Sequence, residues 1–188
     1  MKYLRAMDGK KSNASGKKLK INEIITAKNW NPNANDPKEM GGFNFSVEDK
    51  MLRWLHRGNT LYDVEIPEDA EVILCDEEKG IYRANKIIMS NPREITNEIV
   101  LDLYNKNTLS NKIIAQCLRT LLWRDRLEIS KYIIKDRVNK DNIKEILTEY
   151  EQYAKDKNFG VDESSGDMKI IYDILKEIDK QDWFLFFS

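Results

Sequence analysis

Near residue 90 the apolar residues of this chain change their spacing, and that change limits what it can fold into. Before it, short runs alternate apolar with polar residues: Lys2 to Ala6, Thr60 to Ile66, Glu71 to Cys75 and Ile81 to Ile88. Period two marks a half-buried strand. After it, apolar residues recur every three or four positions, through Ile95, Ile99, Val100 and Leu103, then Ile113, Ile114, Cys117, Leu118, Leu121 and Leu122. The pattern continues through Leu127, Tyr132 and Ile133, then Ile143, Ile146, Leu147, Tyr150, Tyr153 and Ala154, then Met168, Ile171, Tyr172, Leu175 and Ile178. Stripes this wide predict helices facing a core. The expected fold class is α+β: a small mixed or antiparallel sheet with one or two helices over residues 1–90, then a helical region over 91–188 with a linker near 158–167.

Turn chemistry places the boundaries. Gly41-Gly42 leads into Phe43-Asn44-Phe45-Ser46, a short strand. Ser46, followed three residues on by Asp49, reads as a capping box for a helix carrying Met51, Leu52, Trp54 and Leu55, which Gly58 closes. Asp76 to Gly80 reads as a hairpin turn joining two strands. Asn91-Pro92-Arg93-Glu94 reads as N-cap, first-turn proline and acid, so a helix is expected to begin there. Trp30 to Pro37 is a long loop of turn formers, and Phe159 to Asp167, with Gly160, Ser164, Ser165 and Gly166, is the clearest linker.

Composition narrows the function classes. The 188 residues carry a formal net charge of -1, so the total shows neither a nucleic-acid binder's basicity nor an acidic tail. Cys75 and Cys117 have no CxxC partner and His56 is the sole histidine, which leaves no zinc-ligand set. No metal is expected, and the cysteines read as free thiols. Met-Lys-Tyr-Leu-Arg at the start lacks an apolar signal core, and no run approaches the roughly 18 apolar residues of a membrane span. The expectation is a cytoplasmic protein. Lysines cluster between Asp8 and Lys18 without the spacing of a phosphate-binding loop.

Several segments together resemble a known unit. Tyr-Leu-Arg-Ala, Gly-Gly-Phe-Asn-Phe-Ser-Val-Glu-Asp, Thr-Leu-Tyr-Asp-Val-Glu-Ile-Pro-Glu-Asp-Ala-Glu-Val and Tyr-Arg-Ala-Asn-Lys-Ile-Ile follow one another as in the N-terminal unit of an uncharacterised family of bacteriophages and mobile elements. The likeness covers roughly residues 1 to 105. It implies a protein acting in a host cytoplasm and carries no activity with it.

The same order is distantly similar to the ADP-ribosyltransferase fold, in which a first-strand arginine, an aromatic-serine strand and a later glutamate grip NAD. That likeness implies Arg5 and Ser46 as catalytic residues, Arg5, Asn44 and Ser46 as the NAD contacts, and Glu71 or Glu78 as the glutamate. The family's Ser-Thr-Ser reads Asn44-Phe45-Ser46 here. Read without it, Arg5 is a salt-bridge residue, Ser46 a helix cap and Glu71 a strand end.

Three functions follow as expectations. The first is a non-catalytic binding protein without a cofactor, inhibiting or modulating a host or defence protein, with Trp30 or the apolar end Trp183, Phe184, Phe186 and Phe187 as partner anchors. Leaving that end wet forfeits roughly 1.5–3 kcal/mol per large side chain, so it docks on the fold or on another chain. The second is an NAD-dependent ADP-ribosyltransferase. The third is a nucleic-acid binder using Arg119, Arg124, Arg126, Lys131, Lys135, Arg137, Lys140 and Lys144, although Asp125, Glu128, Asp136 and Asp141 interleave with them.

Overall fold

A computed structural model describes residues 1–10, 18–34, 36–156 and 166–184, without the side chains of Pro37, Lys38 and residues 181–184. The lysine cluster between residues 11 and 17, most of the expected linker, and Phe186 and Phe187 lie outside the described residues. So do the side chains of Trp183 and Phe184. The fold is α+β, as the change of period predicts. It forms two compact units, Met1–Thr108 and Leu109–Ser188. The division falls beyond residue 90 because the first long helix after the strands packs within the first unit.

The first unit is built on seven strands: β1 (Tyr3–Met7), β2 (Ile24–Thr26), β3 (Phe43–Val47), β4 (Thr60–Glu65), β5 (Val72–Asp76), β6 (Ile81–Ala84) and β7 (Lys86–Glu94). All pairings are antiparallel, in the order β2-β7-β4-β1-β3-β6-β5. β1 is central, as a strand that opens a fold usually is. The run Ile81 to Ile88, expected as one strand, breaks at Asn85. Its first half pairs with β5 and β3, its second with β2 and β4. One residue thus joins strands that lie four places apart, so the sheet curls back on itself. Met7, Phe45, Tyr62, Val64, Ala84, Ile87 and Met89 form one buried cluster in this unit. Ala84 before Asn85 and Ile87 and Met89 after it all face this cluster, so the phase of the alternation shifts by one residue at the break.

Two local expectations are corrected. Asn91-Pro92 does not open a helix: β7 continues to Glu94, with Thr60 opposite Glu94 and Leu61 opposite Arg93. The register shifts between Leu61 and Asp63, and Asn91 takes φ 51°. Proline lacks a ladder N–H and is tolerated at such an irregularity. Thr96 caps the helix instead, accepting from the Ile99 N–H at 3.4 Å, and α2 runs Asn97–Asn105, after the four-residue α1 (Pro37–Met40).

Ser46 is not a helix cap either. It belongs to β3; Val47 stands at the cap of a 3-10 helix, Glu48–Arg57, and no side chain bonds the helix mouth there. Gly58 does end that helix, but in extended backbone. A Cβ there would lie 1.9 Å from the Met7 carbonyl carbon, so glycine is needed for close passage by β1.

The second unit is helical: α3 (Asn111–Leu122), α4 (Leu127–Arg137), α5 (Ile143–Asp156) and α6 (Gly166–Phe184). α3 is buried from Ile113 to Leu122 and touches the other three. A helix buried on every side has to find partners for its polar groups within the protein, and α3 does so except at Arg119 Nη2. Gln116 donates to Glu149 at 2.7 Å, and the Thr120 hydroxyl donates to the Cys117 carbonyl at 3.1 Å. Arg119, fully buried, donates from Nε to the Tyr150 carbonyl at 3.1 Å. No helix among the described residues is long and apolar enough to cross a membrane.

Candidate functional site

The ladder between β1 and β3 is short. Tyr3 faces Val47 and Leu4 faces Ser46, and there it stops. Beyond that point β1 stays with β4 as far as Met7 opposite Thr60, while β3 stays with β6 through Phe45, Asn44 and Phe43. The two strands part, and a cleft of about 130 Å³ opens between them. Leu4, Arg5 and Ala6 line one side, Asn44, Phe45 and Ser46 the other. Met51, Trp54 and Arg57 also line it, with Ile81. Their spacing of three matches the turn of a 3-10 helix, which stacks i and i+3 on one face.

Arg5 bridges the gap. Its Nη1 donates to the Asn44 carbonyl, while its Nε is buried without a partner. Burial, then the charges of Arg57 and Arg83, push the guanidinium down to about 10. Every charged neighbour acting on Arg5 is thus another cation. Among the described residues no aspartate or glutamate lines the cleft. Ser46 is 2% exposed and its Oγ also lacks a partner. A buried unsatisfied polar group costs about 1–3 kcal/mol, so these groups weaken the fold.

Trp54 fixes the rim. Its Nε1 donates to the Lys79 carbonyl at 2.9 Å, tying the 3-10 helix to the β5–β6 turn. The guanidinium carbons of Arg53 and Arg57 lie 5.3 and 5.5 Å from its ring centroid, so the ring holds arginines rather than offering a bare stacking face. Phe45 stacks on Tyr82 at 5.7 Å and meets Tyr3 edge-on at 5.0 Å, which stiffens the floor.

The structure therefore brings Arg5, Asn44 and Ser46 together, and adds Trp54 and Arg57, which sequence reasoning missed. The missed signal was Met51, Trp54 and Arg57 at intervals of three. Glu71 and Glu78 do not line the cleft. Glu71 accepts a hydrogen bond from the Trp30 indole, and Glu78 lies in the exposed β5–β6 turn. Trp30 is half-buried, and its ring lies where a Cβ on Gly42 would meet it at 2.6 Å. It closes a corner of the fold.

Three of the eight candidate basic residues of the helical unit are engaged within it. Arg119 is in the core, Lys131 pairs with Glu128 at 2.7 Å, and Arg137 donates to Asn111 and to the Leu109 carbonyl. Among the described residues no three acids, cysteines or histidines cluster as metal ligands. No family model, curated protein or solved structure matches the chain.

Proposed function

We propose that this chain is a non-catalytic binding protein whose N-terminal unit receives an anion-bearing group in the cleft between β1 and β3. One observation carries the reading: the cleft collects Arg5 and Arg57, has no acid among its described lining residues, and keeps Arg5 Nε and Ser46 Oγ buried without partners. Such a site is suited to holding negative charge. It lacks a carboxylate to serve as a base or to steady a developing cation, which favours binding over turnover. The resemblance to the phage and mobile-element unit adds a host or defence protein as the partner class, in the cytoplasm. The test uses the full chain and its Arg5→Ala variant as paired baits. The reading expects a defined partner or metabolite retained by the first and lost by the second, and equal retention by both would remove the cleft from the function.

A second reading, an NAD-dependent ADP-ribosyltransferase, is supported by Arg5, Asn44 and Ser46 lining one cleft. Two features count against it: neither Glu71 nor Glu78 is in the lining, and about 130 Å³ is small beside the roughly 300–1,000 Å³ of pockets for larger ligands. Titration calorimetry with NAD and assay of nicotinamide release separate the two. Turnover that disappears in Arg5→Ala and Ser46→Ala would establish the second reading and overturn the first.

A further inference from the structure

We propose that the outer edge of β5 is a strand-docking surface, which takes up an extended apolar segment of another protein flanked by lysine or arginine. The surface is independent of the cleft. β5 ends the strand order, so among the described residues only β6 pairs with it. That pairing fixes which backbone groups face outward. The Asn85 N–H donates to the Glu71 carbonyl at 3.2 Å, and antiparallel alternation then turns Ile73 toward β6 as well. The N–H and C=O groups of Val72 and Leu74 therefore point to the open side, the arrangement by which a sheet adds a strand.

The side-chain rows set the character of the added strand. Phe43, Ala84 and Val72 stand in one cross-strand row, and Phe45, Tyr82 and Leu74 in the next. Both rows run from the core out to water: Ala84 is 0% and Phe45 4% exposed, against 39% for Val72 and 45% for Leu74. A strand with apolar residues at alternate positions extends both rows. Natural sheet edges are commonly guarded by a proline or a charge within the strand, and Val72-Ile73-Leu74-Cys75 holds neither. β2, the other edge strand, is only three residues long.

Charge selects the partner. Residues 67–80 hold six acids and one lysine, with Glu68, Asp69 and Glu71 exposed before the strand and Glu77 and Glu78 exposed after it. Two copies of β5 paired antiparallel would set these ends acid against acid, which is destabilising. A segment with basic flanks meets opposite charge at both ends. The occupant is therefore a different chain and not a second copy of this one.

The test adds the peptide Lys-Lys-Val-Thr-Val-Thr-Val-Lys-Lys, acetylated and amidated at its ends, to the full chain and follows amide exchange by NMR. Slower exchange is expected at Val72 and Leu74, with little change at Ile73, whose N–H already faces β6. Binding should saturate, weaken as salt rises, and fall about tenfold or more when the four lysines are replaced by glutamate. Val72→Thr combined with Leu74→Thr keeps strand-forming residues and removes apolar surface. That double variant is expected to weaken binding about tenfold, with the amides outside β5 and β6 unchanged. No added protection at Val72 and Leu74, equal binding of the glutamate-flanked peptide, or sedimentation showing a dimer that the double variant dissociates would overturn the proposal. The capped peptide carries no anion, and the paired-bait comparison turns on Arg5, so this proposal and the anion-binding reading fail on separate results.

Discussion

Arg5, at the parting of two strands, and Arg119, at the centre of the helical unit, are both drawn inside without a carboxylate partner. Burial lowers the proton affinity of both. Their surroundings differ. Arg119 is held by the Tyr150 carbonyl, by Met168 Sδ at 3.4 Å, and by the Tyr150 ring 4.2 Å from its guanidinium carbon. It joins α3, α5 and α6 as a packing element. Arg5 has one backbone acceptor, two neighbouring arginines and an open cleft. Arg5 lines the cleft and Arg119 is packed among α3, α5 and α6, although each keeps one buried guanidinium nitrogen without a partner. Arg93 is the ordinary case beside them, paired with Asp63 at 2.7 Å.

The largest expected effect separates packing from charge at Arg119. Arg119→Ala removes a large side chain from a close-packed centre and is expected to lower stability by about 3 kcal/mol or more. Arg119→Met fills similar volume without a desolvated charge and should stay within about 1 kcal/mol of the parent. Denaturant unfolding with hydrogen exchange on α3, α5 and α6 reads both. If Met were as damaging as Ala, the guanidinium itself would be indispensable and the contrast with Arg5 would narrow.

Next in size is Tyr150→Phe. The Tyr150 hydroxyl donates to the Met168 carbonyl at 2.9 Å inside the unit, and burial holds its proton far above the usual phenol range. Losing that donor strands a buried carbonyl, for about 1–2 kcal/mol. Exchange protection of α6 should fall with it.

Asp63 sharpens the comparison through pH. Its hydrogen bond from Arg93 is the main cause that holds the carboxyl below its usual range, with Asn91 adding a second. For an acid with a depressed folded value, the stabilisation is complete above the unfolded value of about 3.9 and is lost as pH falls through the lower folded value. Asp63→Asn should therefore cost about 1 kcal/mol at neutral pH, with the gap to the parent closing below pH 4. The contacts of Arg5 and Arg119 hold no carboxylate, so variants there should show no such closing.

Much of this was legible beforehand, and the failures have physical causes. Alternation located β1, β3, β4 and β5, and helical stripes located α3 to α6, because each depends on one face meeting a core. Partner choice is not written in alternation: the one-residue phase shift between Ala84 and Ile87 marks a break at Asn85 without naming the new partners, and nothing in the pattern shows β7 continuing through Pro92. Ser46 had the spacing of a cap, yet its neighbour Val47 took that place, leaving the hydroxyl in the sheet. Arg119 read as one of a basic series because charge patterning ignores depth. Arg5 and Ser46 were picked out through resemblance, while the cleft that joins them arises from where two strands part, which no single segment encodes.

The smallest effect tests the comparison most directly, because it asks whether an anion binds in the cleft that Arg5 lines. A ligand that binds only the folded state adds RT ln(1 + [L]/Kd), about 0.8 kcal/mol at three times Kd. Butyrate at that concentration should raise the melting temperature of the parent chain slightly, while an equal ionic strength of chloride should not. The gain should vanish in Arg5→Lys and persist in Arg119→Met, since the two arginines differ in what lies in front of them and not in their charge. Hydrogen exchange places the change: added protection is expected in β1, β3 and the 3-10 helix, and none is expected in α3. Protection that rose equally in both units would mean the anion acts as a general co-solute, and Arg5 would then be as purely structural as Arg119.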